Sequence, residues 1–184
     1  AEDLVKDPYV LEFTGLPEAA AWSEGDLEAA LLARLQQFLL ELGRDLFFVA
    51  RQKRITIDGD HFYIDLVFYH RALQCLVAFD LKIDEFQPEH LGKMEFYLEA
   101  LDRDVKKPHE RPSIGVLLCA TKDHEVVEYA LARTVSPALI AEYQTALPDK
   151  KLLQRKLHEF YQIVRPTTTP PAEKAEKSAR TKAG

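Results

Sequence analysis

The chain has 184 residues, 47% of them hydrophobic and 29% charged, which are ordinary values for one globular domain with a single core. It sets 24 Lys plus Arg against 30 Asp plus Glu, a formal net charge of -6, so bulk positive charge is not its means of holding a polyanion. Two Cys exclude a disulfide scaffold, seven Gly and ten Pro exclude collagen-like chains, and no apolar stretch approaches the roughly 18 residues of a membrane span. The acidic, mixed start from Ala1 to Pro8 is not a secretory signal, and Cys75 and Cys119 lie in apolar runs. Both points fit a reducing, cytoplasmic setting. The first residue is Ala1 rather than Met, so we expect a piece of a longer protein.

Residues 1–21 read as a lead-in segment, and the body occupies 22–164. Ser23 with Asp26 three residues on is a capping-box start for a helix reaching about Leu42, where Gly43 stops it. Leu46 to Ile57 is rich in strand formers, and Asp58-Gly59 is a two-residue hairpin signal. Phe62 to Tyr69 and Leu76 to Lys82 follow as strands, so the first three form an antiparallel meander. Pro88 opens a helix to about Asp102. Ile114 to Ala120 is a buried strand, parallel to its predecessor through a right-handed crossover. Asp123 to Arg133 reads as a helix, Leu139 to Tyr143 as a last strand and Lys150 to Tyr161 as a last helix. The fold class is α/β, a mixed sheet flanked by helices. From Arg165 onward no large apolar residue occurs, which predicts a disordered tail over 165–184.

Function shows where acids interrupt apolar patterns. Leu27, Leu31, Leu32, Leu35, Phe38, Leu39 and Leu42 define one stripe of the first helix, and Glu28 falls inside its arc. Asp65 stands in Phe62-Tyr-Ile-Asp-Leu-Val-Phe-Tyr, among apolar and aromatic neighbours, and asks for a partner or a metal. Asp80 and Lys82 share one face of Cys75-Leu-Val-Ala-Phe-Asp-Leu-Lys, while Val77, Phe79 and Leu81 share the other. If the two strands are neighbours, Asp65 and Asp80 repel unless a cation lies between them, and a hard divalent ion with oxygen ligands suits the place. Lys82 beside them would orient or deprotonate a water and stabilise charge on a phosphate.

These residues resemble the PD-(D/E)XK nuclease superfamily. More closely, Phe38-Leu-Leu-Glu-Leu-Gly, Arg51-Gln-Lys-Arg-Ile, Tyr63-Ile-Asp-Leu-Val-Phe-Tyr-His, Phe79-Asp-Leu-Lys and Gly92-Lys-Met-Glu-Phe-Tyr-Leu look like the bacterial YhcG-type nuclease domain. The likeness runs from about Pro8 to Tyr161. It implies a restriction-endonuclease-like sheet with an αβββαβ core, and a Mg²⁺-dependent endonuclease acting on DNA, with Mn²⁺ as a substitute. It further implies an N-terminal helical domain outside this chain and a 5′-phosphate product. Position by position, Asp65 matches the metal-binding Asp, Asp80 and Lys82 match the acid-x-Lys motif, and Glu28 matches the first-helix acid. Mg²⁺ would then be held by Asp65, Asp80, the Leu81 carbonyl and Glu28. The superfamily more often carries Glu where Asp80 stands. With the acidic net charge, that supports an alternative in which a weakened domain binds nucleic acid or protein without cutting.

Candidate nucleic-acid contacts are Arg51, Gln52, Lys53 and Arg54, with Gln52 facing the acids, and Lys93 with Tyr97 one helical turn apart. Lys106, Lys107, His109 and Arg111 make a basic loop of the kind usually solvated, and the histidines share no metal-ligand spacing. A homodimer is compatible with these features.

Overall fold

The computed structural model describes residues 23–43, 45–121, 123–131 and 135–164; the expected lead-in segment and tail lie outside them. The elements are α1 (Glu24–Leu42), β1 (Leu46–Ile57), β2 (Asp60–His70), β3 (Cys75–Lys82), α2 (Pro88–Asp104), β4 (Ile114–Ala120), β5 (Glu125–Leu131), α3 (Pro137–Ala146) and α4 (Lys150–Val164). The five strands lie side by side in chain order. β1, β2 and β3 form the expected antiparallel meander, α2 crosses over, and β4 runs parallel to β3. This is the α/β mixed sheet flanked by helices that the pattern of elements implies.

Local chemistry explains most boundaries. Ser23 and Asp26 close a reciprocal capping box on α1, with Ser23 N–H and Oγ both donating to the Asp26 carboxylate. Asp58 (φ 51) and Gly59 (φ 87) both take left-handed backbone, the geometry that an Asp-Gly hairpin turn supplies. Gly43 ends α1 for a different reason than the usual left-handed cap. Its backbone is extended, but a Cβ there would sit 2.8 Å from Leu46 Cβ.

Two elements differ from expectation. Residues 125–131 form a strand antiparallel to β4, not a helix. Glu and Ala favour a helix there, but Val127, Tyr129 and Leu131 alternate onto one apolar cluster, and β4 needs a partner for its open edge. Between the two strands, Thr121 N–H donates to the His124 carbonyl at 2.9 Å. Residues 137–146 form a helix, not a strand. The signal is Ser136, whose Oγ accepts from Leu139 N–H, followed by Pro137 in the first turn.

The sheet has a core on each face. Leu31, Leu32, Leu35 and Leu39 of α1 and Leu153 and Leu157 of α4 pack on one side with Phe68, Phe79, Val116 and Leu118. Among the described residues, α2 alone covers the other side, through Met94, Tyr97, Leu98, Ala100 and Leu101. α2 lies so close that a Cβ on Gly115 would come within 2.5 Å of Met94 Cγ.

Candidate active site

β2 and β3 part company inside the sheet. Their ladder runs from His70–Cys75 to Leu66–Phe79 and stops, while β3 continues beside β4 to the pair Lys82–Cys119. Asp65 and Asp80 occupy the fork. Asp65 fills the missing rung with its side chain, since Oδ2 accepts the Leu81 backbone N–H at 2.8 Å. Strand alternation also skips there: Leu66 and Phe68 belong to the α1 side, whereas both Ile64 and Val67 belong to the α2 side. On the neighbouring strand Gln52 takes a left-handed backbone (φ 49), and its Nε2 donates to Asp65 Oδ1 at 2.9 Å. Such strain in a non-glycine residue persists only where surrounding contacts hold it.

Asp65 and Asp80 are each 5% exposed. Burial, then repulsion from Asp80, pushes the Asp65 carboxyl up to about 6. Lys82 Nζ lies 2.9 Å from Asp80 Oδ2. Burial alone would lower the Lys82 pKa, but Asp80, aided by Asp65 and Tyr97, outweighs it and holds the pKa above the ordinary value. The group therefore combines two buried carboxylates with one ammonium, a net charge short of neutrality by one. A divalent cation suits this donor set, which is all oxygen, and each carboxylate oxygen that accepts one hydrogen bond keeps a second lone pair.

The structure thus brings Asp65, Asp80, Lys82 and Gln52 together, with Leu81 between the two motif residues. Glu28 is half-buried on α1. The carbonyl of the next residue, Ala29, accepts from the Arg51 guanidinium at 3.2 Å, which ties α1 to β1. Lys53 is half-buried and Arg54 exposed. Tyr97 is buried under Phe62, and Lys93 Nζ stands 5.8 Å from its ring centre. Of the basic loop, Arg111 pairs with Glu142 at 2.7 Å and Lys106 binds the Glu110 carbonyl, so both are used locally.

A second group escaped the sequence. Asp84, His90 and Cys119 come from three segments, and one donor atom of each lies within 4.8 Å of the others. No spacing announces them, because the parallel register that sets Cys119 beside Lys82 is a property of the sheet.

Residues 2–158 match a family model described as the YhcG PDDEXK nuclease domain. The chain is 42% identical over 156 residues to the Escherichia coli (strain K12) protein named "Putative nuclease YhcG". That alignment covers 85% of this chain but only 41% of the relative, so the chain spans about two fifths of its length. A solved structure described as "Crystal structure of SSO0001" aligns at 12% identity and a TM-score of 0.35, over 73% of this chain and 58% of the other. The acid-x-Lys group sits where two strands fork, and the family match spans most of the chain: it belongs to the YhcG PDDEXK nuclease domain family.

Proposed function

We propose that this domain is an endonuclease that hydrolyses phosphodiester bonds in DNA with Mg²⁺, Mn²⁺ serving in its place. The observation that carries this is the pair of buried acids at the fork, with Lys82 salt-bridged to one of them. Asp65, Asp80, the Leu81 carbonyl and Glu28 would hold the cation. When bound, it would polarise the scissile phosphate and lower the pKa of a coordinated water.

The protein's own groups have separable tasks. Gln52 fixes the orientation of Asp65 through Oδ1, and the Leu81 amide fixes it through Oδ2. Lys82 brings a positive charge to the place where negative charge grows on the phosphate, and it hydrogen-bonds the attacking water. Arg51, Lys53, Arg54 and Lys93 would meet the sugar-phosphate backbone beside the fork, whereas Tyr97, expected as a contact, is buried and serves instead as the ring beneath Lys93. A local strip of this kind can hold a polyanion despite a net charge of -6.

Plasmid nicking with Mg²⁺ or Mn²⁺ tests the proposal. Asp80→Ala and Lys82→Ala should each lose at least about 100-fold in rate, the scale of removing one charge-stabilising group. Both should keep duplex binding. Metal-dependent nicking that survives in both variants refutes the assignment. Duplex binding with no cleavage by the parent would favour the weakened binding domain instead.

A further inference from the structure

Just beyond Lys82 the structure gathers a second set of donors whose chemistry differs from that of the fork. Asp84 lies in the loop after β3, His90 in the first turn of α2 and Cys119 next to the end of β4. His90 Nε2 is 3.8 Å from Asp84 Oδ2, and Cys119 Sγ is 3.9 Å from His90 Nδ1. Both separations are long for the contacts they would otherwise be: an ion pair near its limit and a weak thiol hydrogen bond. An ion takes only one ring nitrogen, and with one donor atom per residue the three lie within 4.8 Å of one another, so a contraction of about 1 Å brings them to the roughly 3.3 to 3.8 Å between ligands of a tetrahedral ion with bonds of about 2.0 to 2.3 Å.

We propose that Asp84, His90 and Cys119 form a binding site for a zinc-class divalent ion, with the fourth position open to water. Thiolate, imidazole and carboxylate select such an ion over Mg²⁺, whereas the fork offers oxygen alone. Charge supports the assignment. A thiolate and a carboxylate offset a divalent ion, so the loaded group is neutral at the N-terminus of α2, where an uncompensated cation would be disfavoured. Asp84 is exposed and Cys119 buried, so the ion enters from the Asp84 side. As the sulfur–metal bond forms, the Cys119 proton leaves to solvent.

Loading has a mechanical consequence. The Gln87 backbone N–H now donates to His90 Nδ1 at 3.2 Å. An ion on Nδ1 takes that lone pair, and an ion on Nε2 requires the proton on Nδ1. Either way the Gln87 contact is surrendered, so the ion exchanges places with a cap of α2. That helix carries Lys93 and Tyr97, and Cys119 is the ladder partner of Lys82. The site is therefore placed to adjust the geometry of the fork.

Titration of the metal-free chain with Co²⁺ tests this. The expected result is a thiolate-to-cobalt charge-transfer band that saturates at one equivalent and is displaced by Zn²⁺ and not by excess Mg²⁺. Cys119→Ser should abolish the band, and His90→Gln should weaken Co²⁺ binding by about 10-fold or more. Asp80→Asn should leave the band and its one-equivalent endpoint intact, which separates this outcome from the nuclease proposal. Absence of the band in the folded parent, or its persistence in Cys119→Ser, overturns the site. Should Cys119→Ser fail to fold, His90→Gln decides, and unchanged Co²⁺ affinity in that variant overturns it.

Discussion

Replacing Asp65 by Asn should make the metal-free protein more stable while ending its proposed activity. The unfolded chain gives up the Asp65 proton near 3.8, and the folded protein near 6. The folded state therefore favours the protonated acid. Its ionised form costs stability progressively as pH rises from about 4, and the cost is complete above about 7. The gap between 3.8 and about 6 corresponds to ~3 kcal/mol. Asn keeps the shape: its Oδ1 can take the place of Asp65 Oδ2 in accepting from Leu81 N–H, and the Gln52 amide can turn over to accept from Asn Nδ2. In EDTA, urea unfolding should show parent and variant within ~0.5 kcal/mol below about pH 4. Above about pH 7 the variant should be ~2 to 3 kcal/mol more stable, or ~5 to 10 °C higher in Tm. Mg²⁺ should then raise the Tm of the parent more than that of the variant. Parallel pH profiles, or a variant less stable throughout, would refute the claim that burial and Asp80 strain this acid.

Two further outcomes probe the surroundings of the fork. Gln52→Ala removes the 2.9 Å bond to Asp65 and should cost ~1 to 3 kcal/mol in denaturant unfolding. It should also raise the Mg²⁺ concentration for half-maximal nicking ~10-fold or more, as expected for a partner that orients a ligand. Gln52→Gly, which adopts φ 49 without strain, should lose as much nicking but less stability. Gly115→Ala drives a methyl against Met94 and should cost ~1 to 3 kcal/mol by calorimetry, an unchanged Tm contradicting the close seating of α2.

The parts of the fold that were legible are those where local chemistry and tertiary packing agree. The Ser23 capping box, the Asp58-Gly59 turn and the all-apolar β4 each carry their signal within a few residues. β5 was not legible as a strand, because Glu125-Val-Val-Glu-Tyr-Ala-Leu supports either period and only the open edge of β4 decides between them. α3 was obscured in the same way: Leu139-Ile-Ala-Glu-Tyr half alternates, and the deciding Ser136-Pro137 start lies just outside that run. In the site, Asp65, Asp80 and Lys82 stood out because charge in an apolar strand demands compensation. The reach of Gln52 follows from simple alternation, but its left-handed backbone does not. Asp84, His90 and Cys119 left no trace, since their meeting depends on sheet register and on where α2 begins.

The fork also sets a rule about side-chain length. The Asp65 carboxylate stands in for a rung of backbone, gripping the Leu81 amide at 2.8 Å while Gln52 holds its other oxygen. A glutamate there, one methylene longer, would have to buckle or push the third strand outward. The acid at position 80 carries no such splice. The two carboxylates are thus unequal by construction: one is measured to the backbone joint it closes, and the other is set by the Lys82 ammonium it faces.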